Sequence, residues 1–186
     1  MAIKKITVCA VLTALGVVLA EIVPAVKTPI IQISFYFVPI ALAAMMYGAS
    51  YSVIIAALID IIGTLTMGVG AFNPIFTVTA ALNGLIFGAF LYRGSKLSTK
   101  NDSLDSIITA FLSATLITLI LNSFNIALIT YVDKGVTLGE RWIALMFPTR
   151  ILQWSVMFPL QAVVMVLLKK LVLPRLSFLT PARAKI

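Results

Sequence analysis

The amino-acid sequence predicts an all-α integral membrane protein, a compact bundle of six transmembrane helices with both termini in the cytoplasm. The first observation is composition: of 186 residues, 61% are hydrophobic and 11% are charged, whereas a soluble domain carries about 25% charged residues. The second is a mean hydropathy of +1.12. The third is the alternation of long apolar runs with short polar connections, which leaves room for roughly five to seven spans of about 20 residues.

A single membrane-embedded domain, residues 1–186, is expected because the short connections leave no room for a separate soluble domain. No small-residue cleavage site follows the first apolar run, so we expect this run to remain a membrane helix and not a signal peptide. Cys9 is the single cysteine and histidine is absent, so neither a disulfide within the chain nor a metal or other cofactor is expected.

Six segments are predicted to be helices from apolar runs bounded by polar or turn residues. They cover residues 3–23, 35–47, 51–67, 73–92, 104–131 and 148–173. The second is short and follows a loop with two prolines, so we expect this loop to dip into the bundle. In the fourth, Asn73 is the expected N-cap and Pro74 the first helical residue. The fifth is longer than a span needs, so it tilts or projects, and Pro174 ends the sixth.

The connections are read as turns and loops. A tight turn at residues 48–50 joins the second and third helices, and a glycine-rich break at residues 67–72 separates the third from the fourth. Two polar loops are predicted, at residues 93–103 and 132–142. In the fourth helix Gly84 and Gly88 share a stripe of small residues, which favours close helix packing over ligand contact.

The distribution of Lys and Arg sets the orientation. With a cytoplasmic N-terminus, ten basic residues lie in inner segments, whereas the outer loops hold Lys27, Lys134 and Arg141, and Arg150 lies at the outer end of the sixth helix. Cytoplasmic loops carry the excess of positive charge in membrane proteins, so both termini are placed inside. The net charge of +8 therefore reflects topology and does not indicate nucleic-acid binding.

Asp60 lies inside one of the most apolar stretches of the chain, and it is the residue around which a site is predicted. A carboxylate in hydrocarbon costs about 2.5–3.5 kcal/mol on insertion scales, so such residues face the interior of the bundle or a wet cavity. Ala56, Asp60 and Thr64 are spaced four residues apart and share one helix face. That face is therefore expected to point at protein or ligand and not at lipid.

Polar side chains on other helices fall in the same outer half of the membrane. Helix five carries a stripe that ends in Asn122 and Asn125, and helix six carries a stripe of Arg150, Gln153, Trp154, Met157 and Gln161. We expect one pocket that opens outward, lined also by Asp60, Asn73, Glu21 and Lys27. The inner halves carry few polar side chains, which argues against a channel.

The predicted pocket indicates its ligand. It combines one carboxylate, several amides and two or three cations with the aromatic residues Phe35, Tyr36, Phe72 and Trp154. Carboxylates and amides read the donor and acceptor edges of a heterocycle, aromatic rings stack on it, and Arg or Lys binds carboxylates or phosphates. A flat heteroaromatic compound with an anionic tail fits this set.

Structural interpretations stand beside the functional one. Asp60 could simply pair with Arg150, the polar stripe of helix five could hold helices together, and Trp154 could be a packing residue or an interfacial anchor. Asp102 and Asp105 are placed in the exposed cytoplasmic loop before the fifth helix, where Ser103 and Asp105 are interpreted as helix-start residues. No nucleophile elbow, Cys–His pair, zinc motif or nucleotide-binding loop is found, so no enzyme is expected.

The combination of these features resembles the substrate-binding S components of energy-coupling factor (ECF) vitamin transporters. Ala10 and Ala14 match the A-x-x-x-A pattern of the family's first helix, and the long first loop followed by residues 37–48 looks like its second helix. The features similar to the folate-specific members in particular are Asp60, the restart at residues 72–76, and the pair Asn83 and Gly84. Pantothenate, riboflavin and queuosine-precursor members share the same scaffold.

The resemblance implies a protein of the cell membrane that binds a vitamin, folate above all, at the external face. It then docks on a transmembrane coupling subunit with two cytoplasmic ATPases, and Ala10 and Ala14 would form the docking motif. The roles implied for the folate-like site are pterin binding by Asp60, Asn83 and Asn122, stacking by Trp154 and Phe72, and tail binding by Arg150, Lys27 or Arg141. The loops at residues 24–34 and 68–72 would be gates.

Two other classes remain open from the residues alone. A six-span scaffold protein, such as a cell-shape determinant, would use the polar stripes only to join helices and would bind no small ligand. An intramembrane transferase acting on lipid would need clustered acidic residues near the cytoplasmic face. Asp102 and Asp105, which are expected in an exposed loop, fit this requirement poorly. An autonomous secondary transporter would show inverted repeats, and none is found in this sequence.

Overall fold

The computed structural model describes residues 2–22, 26–27, 32–67, 73–99, 101–135, 137–145 and 149–176. Helices form almost all of this part of the chain, as the sequence predicts. The exception is a pair of two-residue antiparallel strands in the first loop, β1 (Val26–Lys27) and β2 (Gln32–Ile33), in which Val26 pairs with Ile33. This small hairpin was not predicted, because two residues per strand leave no alternating pattern to detect.

Eight α-helices, some extended by π-helical turns, are found in the described ranges. They are α1 (Ala2–Val17, continued as a π-helix over Val18–Ile22), α2 (Phe37–Tyr47), α3 (Ala49–Met67), α4 (Pro74–Leu91), α5 (Asp102–Leu112), α6 (Asn122–Lys134), α7 (Leu138–Leu145) and α8 (Ile151–Leu167). A π-helical segment, Ser113–Leu121, joins α5 to α6 without a break, and α8 continues as a π-helix over Leu168–Val172 and a 3₁₀ turn over Pro174–Leu176.

Five stretches of helix in the described chain are long and apolar enough to cross a membrane. They are Ile3–Glu21, Ala49–Thr66, Pro74–Leu91, Asp102–Ile129 and Ile151–Val172. These correspond to five of the six predicted spans. The sixth is α2, a shorter apolar helix of 11 residues, in agreement with the prediction that the second helix is short.

The short helix α2 forms the centre of the bundle. It packs against α1, α3, α4 and α8, and nearly every one of its side chains is buried, including Phe37 and Ile40. A helix that is apolar on all sides has no face for water, which suits an element enclosed by other helices. Helix α2 is therefore short because it only has to fill the core between longer helices.

Close packing of α3 on α4 depends on small residues, as predicted for Gly84 and Gly88. A Cβ atom at Gly84 would lie 2.5 Å from the backbone oxygen of Ser52, and one at Gly88 would overlap the backbone of Ala49. The hydroxyl of Ser52 donates a hydrogen bond to the Gly84 carbonyl at 2.8 Å. The backbones of α3 and α4 are therefore in direct contact at this point. This close approach sets the position of Asp60 relative to α4.

The predicted loop over residues 132–142 is wrong in part, because most of it is helical. The helix begun at Asp102 continues to Lys134 and ends at Gly135, whose φ of 65° is left-handed. A further helix, α7, then packs back against α6. At about 1.5 Å per residue the continuous helix is roughly 50 Å long, longer than a hydrocarbon core of about 30 Å, which agrees with the expected tilt or projection.

The interpretation of Ser103 and Asp105 as helix-start residues is confirmed, because α5 begins at Asp102 and both acidic residues lie in its first turn. The exposed location expected for Asp105 is wrong. Asn101 is the N-cap of α5, and its side chain accepts hydrogen bonds from the backbone nitrogens of Ser103 and Leu104. Asp105 is completely buried and lies 3.4 Å from the ammonium nitrogen of Lys169, which is also buried. The end of the bundle at which α5 begins thus contains a buried charge cluster that was not predicted from the sequence.

Candidate functional site

Asp60 faces α4 and not lipid, as its spacing predicts. Its Oδ2 atom accepts a hydrogen bond of 2.6 Å from the Thr77 hydroxyl, and the side chain is partly buried. The structural alternative, a pair between Asp60 and Arg150, is not what the structure contains, because each of these residues has a different partner. Asp60 is therefore held at the interface of α3 and α4 by a hydroxyl donor of α4.

Arg150 lies immediately before the first residue of α8, and 4% of its surface is exposed. Its Nη1 atom donates to Gln153 Oε1 at 2.6 Å, one turn further along the helix. The Nε atom has no hydrogen-bond partner among the described residues. A guanidinium that is buried beside a neutral amide keeps both its charge and a free donor.

The side-chain amides of Asn122 in α6 and Asn83 in α4 form hydrogen bonds between helices. Asn122 Oδ1 accepts from the Thr79 hydroxyl at 3.4 Å, and Asn83 Oδ1 accepts from the Ser113 hydroxyl at 2.7 Å. Asn125 is buried, and its Nδ2 atom has no partner within the described part of the chain. These bridges agree with the interpretation that the stripe joins helices, while Asn125 keeps donors for a further group.

Trp154 lies in an aromatic cluster at the seam between α5 and α8. Its ring stacks on Phe158, with centroids 5.6 Å apart, and meets the edge of Phe111, which is exposed. Its indole nitrogen donates to the Thr115 hydroxyl at 3.0 Å. These contacts favour the packing alternative for Trp154, because the ring and its N–H group are already occupied.

Of the remaining predicted residues, Tyr36 lies close enough to Asp60 for the two side chains to interact electrostatically. Asn73 caps α4 by accepting from the backbone nitrogen of Ile75, as predicted. Phe35 is exposed beside Phe37, and Tyr36 directly precedes α2. The side chains of Lys27 and Arg141, in β1 and α7, and the whole of Phe72 lie outside the described residues.

Ala10 and Ala14 lie on an exposed face of α1. Beside them is an apolar groove of about 230 Å³. It is lined by Thr7, Val8, Val11, Leu12, Leu42, Met46 and Leu176. The small side chains of Ala10 and Ala14 leave the backbone of α1 open to close approach by another helix.

The arrangement suits the binding of a polar ligand. No group of three or more His, Cys, Asp or Glu side chains that could hold a metal ion is found where the chain is described. Arg150 and Asn125 instead offer hydrogen-bond donors that are buried and free. Sequence reasoning missed the hydroxyl partners Ser113 and Thr79, whose only signal is that a buried amide needs a hydrogen-bond partner nearby.

Known proteins similar to this chain are transport components. The family profile described as "ECF transporter, substrate-specific component" matches residues 4–169. A protein of Clostridium novyi (strain NT) named folate transporter FolT is 30% identical over 139 residues, which are 75% of this chain and 73% of that protein. A protein of the same name from Leuconostoc mesenteroides is 37% identical over 95 residues, about half of each chain.

The fold is also similar to that of a solved structure. The structure described as "Crystal structure of FolT bound with folic acid" superposes with a TM-score of 0.73 at 27% sequence identity. The superposition covers 91% of this chain and 96% of that one. Because the family profile spans nearly the whole sequence and the folds agree over nearly their whole lengths, this chain belongs to the family of substrate-specific components of ECF transporters.

Proposed function

We propose that this protein is the folate-binding subunit of an ECF-type uptake transporter and that it captures folate with high affinity at the external face of the membrane. Two relatives carry the name folate transporter, and a structure with the same fold is described with folic acid bound. The buried polar side chains of α3, α4, α6 and α8 agree with a ligand of this chemistry.

The observation that carries the proposal is the environment of Arg150. Burying a cation is costly unless an anion or several strong acceptors compensate for the lost water. In the described part of the chain its hydrogen-bond partner is the neutral amide of Gln153, and Nε is free. A ligand carboxylate would neutralise the guanidinium, and the glutamate tail of folate carries two carboxylates.

The other roles follow from the chemistry of folate. The N–H groups of its pterin ring match the carboxylate of Asp60 and the amides of Asn83 and Asn122 as acceptors. Phe72 and Trp154 are the proposed stacking residues, although the Trp154 contacts described above favour packing. The further side chains assigned to the pocket are Lys27 and Arg141 for the tail, with Asn73, Asn125, Gln153, Phe35 and Tyr36 around it.

Transport requires partners in this proposal. With α2 counted as a short span, six helices cross the membrane and both termini lie in the cytoplasm, where the positive charge is concentrated. The protein docks through Ala10 and Ala14 on a transmembrane coupling subunit, and two ATPases supply the energy. The loops at residues 24–34 and 68–72 act as gates on the external side.

Tryptophan fluorescence of the detergent-purified protein tests the binding step, with Trp142 and Trp154 as reporters. Saturable quenching by folate is expected, and Arg150→Ala and Asp60→Ala are each expected to weaken it by about 10- to 100-fold, the usual effect of losing a charged hydrogen-bond partner. Arg175→Ala is the matched control, because Arg175 is exposed at the far end of the bundle. It is expected to bind folate as the wild type does.

The outcomes distinguish the alternatives. Quenching only by pantothenate, riboflavin or a queuosine precursor would retain the transporter and discard folate. No response to any vitamin by a folded protein would favour the scaffold interpretation. Equal loss of affinity in Arg150→Ala and Arg175→Ala would contradict the assigned site while leaving folate as ligand.

A further inference from the structure

Gln161 is a buried polar residue to which no role has been assigned so far. It lies in the middle of α8 and is 3% exposed. Its Oε1 atom is buried and has no hydrogen-bond partner among the described residues. The neighbouring turns of the same face carry Met157 and Met165, both part of the apolar core. An acceptor therefore points into an apolar region where the described part of the chain supplies no donor.

Such an atom needs an explanation. More than nine in ten buried polar groups in folded proteins are paired, and an unpaired one costs about 1–3 kcal/mol. A glutamine adds no packing here that a methionine could not supply, because Met157 and Met165 already occupy equivalent positions. The residue is thus better explained by a group that is absent from the chain itself, and an acceptor requires that group to be an N–H or O–H donor.

The position of Gln161 relative to Arg150 defines the shape of that group. Gln153, Met157, Gln161 and Met165 form one buried face of α8, and Arg150 contacts the first of them. Gln161 lies eleven positions after Arg150, which is about 16 Å along a helix. The free guanidinium nitrogen and the free carbonyl oxygen thus lie at the two ends of one long face.

We propose that Gln161 is a ligand-binding residue whose carbonyl oxygen accepts a hydrogen bond from an N–H group of the pterin ring. This inference rests on the proposed function and adds a direction to it. Folate is elongated, with carboxylates at one end and the N–H groups of its pterin at the other. The tail then lies at Arg150 near the external surface, the pterin lies deep in the bundle, and Met157 contacts the part of the ligand in between.

A fragment of the ligand separates this role from that of Arg150. N-(4-aminobenzoyl)-glutamate carries the tail of folate and lacks the pterin, so its affinity depends on Arg150 and not on Gln161. Dissociation constants for folate and inhibition constants for the fragment, obtained by competition against radiolabelled folate, are compared in full-length protein. The variants are Gln161→Met, Arg150→Met and, as a control on the same face, Met165→Leu.

In Gln161→Met, the folate dissociation constant is expected to rise about tenfold, the usual effect of one lost hydrogen bond that leaves a donor unpaired. The fragment is expected to bind as it does to the wild type. Arg150→Met is expected to weaken both compounds, and Met165→Leu neither. The melting temperature of unliganded Gln161→Met is expected to stay level or rise, because an unpaired acceptor is removed; a role in holding helices together would lower it.

Unchanged folate affinity in Gln161→Met, or equal weakening of folate and fragment, would overturn the assignment of Gln161 and leave the proposed function standing. A wild-type protein that binds no folate would overturn both. Gln161→Leu repeats the test with a second apolar side chain, so a folding defect particular to methionine does not decide the result.

Discussion

The ammonium nitrogen of Lys169 lies 3.4 Å from a carboxylate oxygen of Asp105, and both side chains are almost completely removed from solvent, at 1% and 0% exposure. Asp105 also accepts hydrogen bonds from the Ser98 hydroxyl and from the backbone and hydroxyl of Thr99. The nearby Asp102 pairs with Lys169 and with Arg93. The start of α5, the end of α8 and the connection before α5 are thus joined by compensated charges.

Breaking this cluster should destabilise the protein more than any exposed pair does. We expect Lys169→Met to lower the free energy of unfolding by about 3–5 kcal/mol, because it leaves Asp105 buried with an uncompensated charge. The measurement is reversible unfolding of the purified protein in mixed micelles of dodecyl sulfate.

The matched control is Arg93→Gln, which breaks a partly exposed pair at 38% and 27% exposure and should cost at most about 1 kcal/mol. Replacing both charges, in Asp105→Leu with Lys169→Met, should recover part of the lost stability, because no unpaired charge remains. Similar losses for Lys169→Met and Arg93→Gln would mean that the buried cluster contributes no more than an exposed one.

The contact between α3 and α4 gives a second prediction. Gly84→Ala should lower the free energy of unfolding by about 1–3 kcal/mol, because the added methyl group would lie 2.5 Å from the backbone oxygen of Ser52 and the helices would have to separate. Gly139→Ala is the matched control, since a Cβ atom at Gly139 meets no atom within 4 Å. If both variants unfold alike, the close approach of the two helices is not the origin of the effect.

The sequence was sufficient for features that depend on local pattern. Apolar runs located the spans, the Asn73 and Pro74 pair located the start of α4, and Gly84 with Gly88 indicated the packed face. Each of these is determined by residues that lie within a few positions of one another, so no tertiary contact has to be known in advance.

Features that depend on distant residues could not be predicted. Asp105 was correctly placed at the start of a helix, but its burial and its pairing with Lys169 were missed because the two residues are 64 positions apart. Trp154 was placed on one helix face with Arg150 and Met157 because of its spacing of four and three residues from them. Its packing on Phe158 and Phe111, on its own and a neighbouring helix, could not be seen from that spacing. The short helix α7 was missed because Gly135 and Gly139 near its start are typical of loops.

The hydrogen bond from Thr77 to Asp60 gives a third prediction, which tests the assigned ligand site. Thr77→Val keeps the side-chain shape and removes the donor, so the Asp60 carboxylate loses its fixed orientation. We expect the folate dissociation constant to rise by about tenfold, the usual magnitude for a hydrogen bond to a charged group. Thr77→Ser, which retains the hydroxyl, should bind folate nearly as the wild type does, and quenching titrations measure both. Equal folate affinities of Thr77→Val and the wild type would show that the orientation of Asp60 does not contribute to folate binding.

The exposed alanines of α1 give the last prediction, which separates ligand binding from assembly. In Ala10→Leu and Ala14→Leu the larger side chains should prevent close approach of a partner helix, so co-purification with the coupling subunit and its ATPases should fall strongly. Folate affinity should not change, because both positions lie on the exposed face of α1. Val11→Leu is the control: Val11 is exposed on the same helix but already bulky, so assembly should persist. Loss of folate binding in the alanine variants would show instead that this face supports the pocket.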